Sequence, residues 1–430
     1  MFRKFIDGWE FHRWRRVHLR SPAAMRSWQV KRLRRLVRYA RRTVPFYNNV
    51  LRTVRSEASL EELPVIDKYS FFQKPDAEYY IDNSRPFPLR WGKTSGTSGE
   101  PLRILLRRHV FVQPYVDFLL YRFLYWRGVR LKEIRTSKIA KIRVRGRSHG
   151  NRLFIPVSEF LQKTRDSAAA LTAFRPDVIE SYPSLLLALA HAVRQNGAEN
   201  SLACRYAVSL GEVLTPRERV FIEENLGCEV YNRYGLEELG VIGVECSYHR
   251  GFHIYAESYI VEVLDARDWP LPSGARGRVV VTDLYNYDMP FIRYDTGDQG
   301  FIAATPCSCG MQTPLLFIDG RHSSFLAFGA KRLHHLEFDA ALDGFHNAIM
   351  RYQVIKIAEN AAKVLVVPGP FFDTATAEDV RQRVKRLIGE GISVSVEQTA
   401  HTLYTPAGKS RIVVDLSRSA AEFKNVAPRH

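Results

Sequence analysis

The chain reads Lys93-Thr94-Ser95-Gly96-Thr97-Ser98-Gly99-Glu100-Pro101 directly after the short extended run Pro88–Trp91. Glycine adopts backbone conformations that other residues resist, so successive N–H groups can turn toward one anion, and the hydroxyls beside them add further donors. The segment therefore predicts a phosphate-binding loop, and a flexible turn is the alternative for such a composition. It is not a Walker loop, because no Gly-Lys-Ser or Gly-Lys-Thr follows its last glycine.

Three further segments that carry charged and aromatic side chains follow in a fixed order. They are Tyr234-Gly235-Leu236-Glu237-Glu238, Arg293-Tyr294-Asp295-Thr296-Gly297-Asp298 and Thr405-Pro406-Ala407-Gly408-Lys409-Ser410-Arg411. Together with the loop Thr94–Pro101, this ordered set resembles the core motifs of the adenylate-forming superfamily, which contains the acyl- and aryl-CoA synthetases and their relatives.

Shorter segments narrow the resemblance to one branch of that superfamily. The chain is similar to the phenylacetate-CoA ligase-like group, particularly its shorter CapK-type members, in Val44–Tyr47, Leu63–Lys68, Arg175–Ile179, Tyr182–Leu185 and Asn286–Pro290. The resemblance covers most of the chain. Its four ordered motifs are specific for the superfamily and carry little information about the substrate.

The resemblance implies a nucleotide site. Thr94–Gly99 would wrap the β- and γ-phosphates of ATP. The pair Tyr234-Gly235 would place an aromatic ring on the adenine, and Gly211-Glu212 would line the same pocket. Asp298 would accept hydrogen bonds from both ribose hydroxyls, and Arg321 is assigned to the same nucleotide site.

The resemblance also implies two residues that take part in the reaction. Lys409 would reach the α-phosphate and the substrate carboxylate from a mobile C-terminal domain, and Glu238 matches the carboxylate that binds Mg²⁺, a cation that prefers one or two carboxylates plus phosphate oxygens. The chain departs from the family pattern in two places. Glu237 stands where a hydroxyl residue is usual, and Ser323-Ser324 replaces the usual hinge aspartate, which leaves the hinge residue open.

A carboxylate is a poor electrophile, and AMP transfer from ATP converts it to a mixed anhydride that a nucleophile can attack. The resemblance implies this activation with release of pyrophosphate, followed by transfer of the acyl group to coenzyme A. Transfer to an amine or a hydroxyl, AMP transfer alone, and a degenerate non-catalytic member are the alternatives. Tyr115, Tyr182 and Phe154 favour an aromatic or bulky acid, whose identity the sequence leaves open.

Two short pairs of soft ligands predict a second site. Cys246-x2-His249 and Cys307-x-Cys309 offer thiolates and an imidazole, which suit tetrahedral Zn²⁺, and four protein ligands would make the site structural. The fold must bring the two pairs together across the residues between them. Reduced cysteines beside a surface histidine are the alternative, and His253 is a candidate substitute ligand.

The alternation of short apolar strands with helices predicts an α/β fold with mainly parallel, helix-flanked sheets. Val178-Ile179 and Tyr206–Leu210 are such strands, and a β-rich portion follows from Ile254 to Val281. Beyond it, Tyr352–Val367, a helix over Thr376–Gly389 and Ile392–Gln398 predict a small α+β tail. We expect three parts: a basic helical segment (1–60), a large adenylate-forming domain (61–320) and a small mobile domain (321–430).

Positive charge is concentrated at the start of the chain. The formal net charge is +18, and residues 1–52 carry fifteen Lys/Arg against two acids. Apolar stripes at Phe2, Phe5, Ile6 and Trp9, and at Leu33, Leu36, Val37 and Ala40, predict amphipathic helices whose apolar side packs on the protein. Peripheral docking on an anionic membrane is the alternative, and no motif supports nucleic-acid binding. Five cysteines without a disulfide pattern favour the cytoplasm, and the oligomeric state stays open.

Overall fold

The structure is a computed structural model that describes residues 21–54, 59–72, 76–80, 91–93, 103–105, 124, 127–144, 146–197, 202, 204–321, 324–345, 348–405 and 408–417. The predicted phosphate loop Thr94–Gly99, the predicted pocket residue Tyr115 and the first apolar stripe, within residues 1–20, lie outside these ranges. None of the described helices combines the length and the apolar composition that crossing a membrane requires.

The helices of the described residues are, in chain order, α1 (Pro22–Thr43), α2 (Pro45–Val50), α3 (Lys68–Phe72), α4 (Asp76–Tyr79), α5 (Leu131–Thr136), α6 (Val157–Gln162), α7 (Thr164–Phe174), α8 (Pro183–Gln195), α9 (Pro216–Leu226), α10 (His335–Ala341) and α11 (Thr374–Ile388). The strands are β1 (Trp91–Lys93), β2 (Arg103–Leu105), β3 (Ile139–Arg143), β4 (Arg152–Pro156), β5 (Val178–Ser181), β6 (Tyr206–Leu210), β7 (Glu229–Leu236), β8 (Gly240–Glu245), β9 (Phe252–Ile254), β10 (Tyr259–Leu264), β11 (Gly277–Asp283), β12 (Tyr294–Ile302), β13 (Leu315–Arg321), β14 (Phe325–Phe328), β15 (Lys331–His334), β16 (Ile349–Ala358), β17 (Ala361–Pro368), β18 (Ser393–Gln398) and β19 (Val413–Asp415).

The chain divides into two compact units. Unit 1 comprises Met1–Arg135 and Arg233–His322, and unit 2 comprises Thr136–Asn232 and Ser323–His430. One boundary between the units lies inside β7, between Asn232 and Arg233. These units combine distant stretches of chain and do not correspond one to one with the three predicted domains, whose bounds remain a prediction.

Unit 2 contains the predicted parallel sheet, with strands in the order β4-β3-β5-β6 and the first part of β7 next to β6. The pairs β3–β4, β3–β5 and β5–β6 are all parallel. Parallel strands need helical connections that cover the faces of the sheet, and α8 is one of them. Its residues Leu185–Ala190 are all buried, as its nearly continuous apolar sequence predicts. The predicted α/β fold is therefore confirmed.

The predicted C-terminal tail of unit 2 is also confirmed. Its sheet has the order β18-β17-β16-β19, and α11 connects the parallel strands β17 and β18. Helix α11 begins after Asp373, whose side chain accepts a hydrogen bond from the Thr376 amide at 2.7 Å, and ends before Gly389. Its buried side chains, Val380, Val384 and Ile388, recur at helical spacing and pack on the sheet.

Unit 1 contains antiparallel strands in the order β8-β9-β13-β12-β11-β10, in agreement with the predicted β-rich portion. Helix α1 packs on this unit through its predicted apolar stripe, since Leu33, Leu36, Val37 and Ala40 are buried. On the same helix, the side-chain amide of Gln29 donates to the carbonyl oxygens of Ala256 and Tyr259 at 2.8 and 3.0 Å. Packing of the second stripe on the protein is therefore confirmed.

Arg293 joins separate stretches of unit 1 through a buried guanidinium. Its Nε and Nη2 donate to the carboxylate of Glu262 at 3.2 and 3.1 Å, and its Nη1 donates to the Leu63 carbonyl at 2.6 Å. Only 1 % of Arg293 is exposed. A buried ion pair of this kind is stable while both partners are present, and removing one leaves an uncompensated charge.

We predict that Arg293→Met lowers the free energy of unfolding by about 3 to 5 kcal/mol, because Glu262 is then buried without its cation. The measurement is urea denaturation followed by fluorescence. Arg276→Met is the matched control: Arg276 pairs with Asp319 at 2.8 Å but is mostly exposed, so its loss should be about 1 kcal/mol or less. Equal losses in the two variants would contradict the prediction.

Candidate functional site

In unit 1, three of the predicted nucleotide residues meet around one carboxylate. Asp298, on β12, is buried, and its Oδ2 accepts a hydrogen bond from the Tyr234 hydroxyl at 2.6 Å. Its Oδ1 lies 3.2 Å from Nε of Arg321. Arg321 is held there because β12 and β13 pair with Asp298 directly opposite Arg321. Antiparallel pairing thus places a fixed cation beside the acid.

Tyr234 is held as a hydrogen-bond donor by its surroundings. Burial, and then the negative charge of Asp298, raises the pKa of the Tyr234 hydroxyl well above its usual range. The next residue, Gly235, allows β7 and β8 to approach closely, because a Cβ atom there would lie 2.3 Å from the Gly240 carbonyl oxygen. Any larger residue at Gly235 would displace the backbone that carries Tyr234.

Glu238 and Glu237 differ in their surroundings although they are adjacent. Glu237 is exposed. Glu238 is half-buried, and its Oε1 accepts a hydrogen bond from the Tyr294 hydroxyl at 2.9 Å. Burial raises the pKa of the Glu238 carboxyl, and the Tyr294 hydrogen bond and the charge of Arg321 oppose that effect. Glu238 is therefore an oriented carboxylate, whereas Glu237 faces solvent.

In unit 2, Lys409 stands at the end of a short hairpin. Tyr404 and Ser410 form an antiparallel bridge, and the Thr405 amide donates to the Lys409 carbonyl at 2.8 Å. The Lys409 Nζ lies 5.9 Å from the centre of the Tyr182 ring. A Cβ atom on Gly211 would come within 3.2 Å of that Nζ. The structure thus brings together Lys409, Gly211 and Tyr182, three residues that the sequence predicted separately.

Gly211 meets two requirements at once. Its φ of +77° lies in the left-handed region, which side chains disfavour. It also leaves room for the Lys409 side chain, since a Cβ atom would contact both Cε and Nζ of that lysine. The resemblance implied Gly211 as a pocket residue, and its local geometry explains why a glycine is needed.

Glu212 is surrounded by protein donors. Its carboxylate accepts hydrogen bonds from the Ser184 amide at 3.1 Å, the Ser184 hydroxyl at 3.0 Å and the Ser410 amide. Arg351 Nη2 donates to it at 3.0 Å. The sequence predicted Glu212 as a pocket residue but gave no role to Arg351, which lies in β16 outside every motif.

A group of sulfur and nitrogen ligands lies in unit 1. The ligand atoms of Cys246, His253, Cys307 and Cys309 all lie within 4.8 Å of one another. The sulfurs of Cys246 and Cys307 are 3.6 Å apart, and the Cys309 sulfur lies 3.2 Å from the His253 Nε2. We call these four residues the Cys3His group. On its other side, the His253 Nδ1 lies 3.3 Å from the Thr313 hydroxyl.

The structure brings a different histidine to the three cysteines from the one in the predicted ligand set. His249 is not in the Cys3His group; its Nδ1 lies 3.2 Å from the Glu245 carboxylate, at a turn position with a φ of +51°. His253 takes that place because it lies on β9, opposite Leu315 of β13. This pairing brings β9 next to the loop that carries Cys307 and Cys309. The Cys-x2-His spacing predicted His249 as the fourth ligand, whereas strand pairing places His253 next to the three cysteines.

Comparison with protein-family models finds no match. The chain is similar to a phenylacetate-coenzyme A ligase of Thermus thermophilus, with 29% identity over 92% of this chain and 97% of the relative. It is also similar to a phenylacetate-coenzyme A ligase of Pseudomonas putida, with 27% identity over 65% of this chain and 66% of the relative.

The fold is similar to that of a solved 2-hydroxyisobutyryl-CoA ligase, captured in the postadenylation state with R3-HIB-AMP. The TM-score is 0.72 at 19% identity, and the match covers 93% of this chain and 91% of the other. At this identity the likeness concerns the fold, and it agrees with the architecture that the motifs predicted.

Proposed function

We propose that this chain is an AMP-forming acid–CoA ligase. The proposal is supported by its similarity to a phenylacetate-coenzyme A ligase over 92% of the chain and by a fold similar to that of a 2-hydroxyisobutyryl-CoA ligase. The proposed enzyme activates a carboxylic acid with ATP as an acyl adenylate and then transfers the acyl group to coenzyme A. The observation that carries the proposal is the meeting of Tyr234, Arg321 and Asp298, three predicted nucleotide residues far apart in sequence, around one carboxylate.

The proposed nucleotide contacts follow from the Asp298 centre. Each carboxylate oxygen can accept more than one hydrogen bond, so Asp298 can receive ribose hydroxyls while Tyr234 and Arg321 hold it in place. Because these partners are fixed before the nucleotide arrives, little reorganisation is needed on binding. Glu238, oriented by Tyr294, would hold Mg²⁺, which neutralises phosphate charge when bound.

Lys409 would act on the reacting groups themselves. In the first half-reaction a carboxylate oxygen attacks the α-phosphorus, and the bond from that phosphorus to the pyrophosphate oxygen breaks. A compact ammonium placed at these two anions reduces their repulsion and stabilises the charge that develops. In the second half-reaction the coenzyme A sulfur, having lost its proton, attacks the acyl carbon, and AMP leaves.

The first test of this proposal concerns the two adjacent acids. Glu238→Gln keeps the size of the side chain but removes its charge, so Mg²⁺-dependent pyrophosphate release with ATP and a panel of carboxylic acids should fall about 100-fold or more. Glu237→Thr, which changes an exposed residue, should retain activity. If Glu237→Thr proves the more damaging change, the assignment of Glu238 as the metal ligand is wrong.

The second test separates the half-reactions. Lys409→Ala should slow adenylate formation by about 100- to 1000-fold, which is the scale of losing one preorganised electrostatic contact. Transfer from a chemically prepared acyl adenylate to coenzyme A should remain near the wild-type rate. A variant equally impaired in both steps, with its fold intact by circular dichroism, would contradict the assigned role of Lys409.

We further propose that the Cys3His group binds a structural Zn²⁺. Zinc–sulfur bonds of about 2.3 Å and zinc–nitrogen bonds of about 2.0 Å hold tetrahedral ligand atoms about 3.5 to 3.8 Å apart. The two separations of 3.6 and 3.2 Å lie in or near that range, and all four ligand atoms lie within 4.8 Å of one another. Four protein ligands leave no open position for catalysis. The Thr313 hydroxyl beside His253 Nδ1 would fix the ring orientation, as a partner outside the metal shell commonly does.

We predict about one zinc per chain in the purified protein, because these four protein ligands together make one tetrahedral site. Cys307→Ser and His253→Ala should lose the zinc and unfold at a lower temperature, since a structural metal contributes to the free energy of folding. His249→Ala is the matched control and should keep its zinc. Metal analysis and thermal unfolding give the readouts. Zinc retained in His253→Ala but lost in His249→Ala would restore the ligand set that the spacing predicted.

A further inference from the structure

Arg351 is a buried arginine of unit 2 whose guanidinium lies between two buried carboxylates. Its Nη2 lies 3.0 Å from Glu212, and its Nη1 contacts Glu218. The side chains of both acids are 1 % exposed, and that of Arg351 is 9 % exposed. We call these three residues the Arg351 cluster. Two acids share one cation in a site with little water, so the arrangement depends on the remaining donors around it.

One carboxylate of the Arg351 cluster is anchored to a helix. Glu218 lies in the first turn of α9, where its Oε2 accepts a hydrogen bond from the Thr215 amide at 2.9 Å. The Thr215 hydroxyl accepts one from the Glu218 amide at 3.2 Å, which completes a capping box. The other oxygen, Oε1, contacts Arg351. Arg351 is therefore fixed on a side chain that the start of α9 already holds.

The other carboxylate is attached to the hairpin that carries Lys409. Glu212 accepts a hydrogen bond from the backbone amide of Ser410, the residue directly after Lys409. On the other side of the lysine, Gly408 packs so closely on Val157 that a Cβ atom would lie 2.9 Å from a Val157 methyl carbon. The backbone on both sides of Lys409 is thus held from outside the hairpin, in addition to the hydrogen bonds between Thr405 and Lys409 within it. The Arg351 cluster supplies the contact on the Ser410 side.

We propose that the Arg351 cluster positions Lys409 for adenylate formation. Arg351, held by Glu218, orients the carboxylate of Glu212, and that carboxylate fixes Ser410 so that the ammonium of Lys409 stays beside Gly211. The inference rests on the proposed function of Lys409. The resemblance implied Glu212 as a residue of the nucleotide pocket, but both of its carboxylate oxygens are bonded to protein donors and its side chain is 1 % exposed. In this proposal Glu212 and Arg351 therefore touch neither phosphate nor substrate, so they are positioning residues and act through the lysine.

The expected kinetic effect follows from the geometry. A displacement of a catalytic group by about 1 Å can lower a rate by about 100-fold. Glu212→Gln and Arg351→Gln should therefore lower kcat for adenylate formation by about 10- to 100-fold, with KM for ATP changed by about twofold or less. Arg351→Lys, which keeps the charge, should recover part of the loss. Acyl transfer from prepared adenylate should stay near the wild-type rate.

The matched control is Lys356→Gln. Lys356 lies on the same strand as Arg351, is also buried, and pairs with Glu359 at 2.6 Å. The Lys356→Gln variant therefore measures how much the rate of adenylate formation falls when a buried cation is removed from β16 and the contacts of Glu212 stay intact. A second control uses the Lys409→Ala background, where Glu212→Gln should cause no further loss of adenylate formation, because residues acting through one group are not additive.

Hydrogen exchange supplies a readout that needs no activity. The Ser410 amide should exchange about tenfold faster or more in Glu212→Gln and Arg351→Gln, since its acceptor is weakened or displaced, and at the wild-type rate in Lys356→Gln. Unchanged exchange at Ser410, or an additive loss in the Lys409→Ala background, would overturn the positioning role. A wild-type protein that forms no adenylate with any acid would overturn the proposed function instead, and exchange at Ser410 would still test the contact.

Discussion

A carboxylate that leaves water is stable inside a protein only when other donors replace the hydration it loses. Three of the buried acids in the described residues show how this requirement is met. Glu262 is paired with Arg293, Asp298 is held between Tyr234 and Arg321, and Glu212 receives the Ser184 and Ser410 donors together with Arg351. Each acid joins segments that are distant in sequence, so satisfying its charge also fixes the local architecture.

The three acids differ in what their contacts do. Glu262 stabilises unit 1 and has no proposed role in the reaction. Asp298 is held still by its protein partners, and in the proposed nucleotide site it would keep lone pairs for the ribose hydroxyls. Glu212 is turned toward the protein, and its proposed effect is to set the position of a neighbouring lysine. The same physical requirement therefore underlies one core contact, one proposed binding contact and one proposed positioning contact.

The Cys3His group illustrates how sheet pairing builds a site from loops. Cys246 follows β8, His253 lies on β9, and Cys307 and Cys309 lie between β12 and β13. Because β13 pairs with β9, the loop before it is brought to the β8–β9 hairpin. A metal at this point would join the loop between β12 and β13 to the β8–β9 hairpin, which is consistent with the structural role proposed for it.

The sequence by itself determined the order and type of the main elements. The strand at Tyr206–Leu210 and the α+β tail lie where the pattern of apolar residues predicted them, because this signal is local. The motifs also resembled those of one superfamily, and the chain is similar over 92% of its length to a phenylacetate-coenzyme A ligase. Tertiary structure decided which distant residues meet. Strand register brought His253, and not His249, next to the three cysteines. Burial beside two acids gave Arg351 ion-pair partners that no sequence motif indicated. Spacing along the chain records only neighbours in sequence, whereas a ligand set or a buried ion pair depends on distances that exist after the sheets have formed.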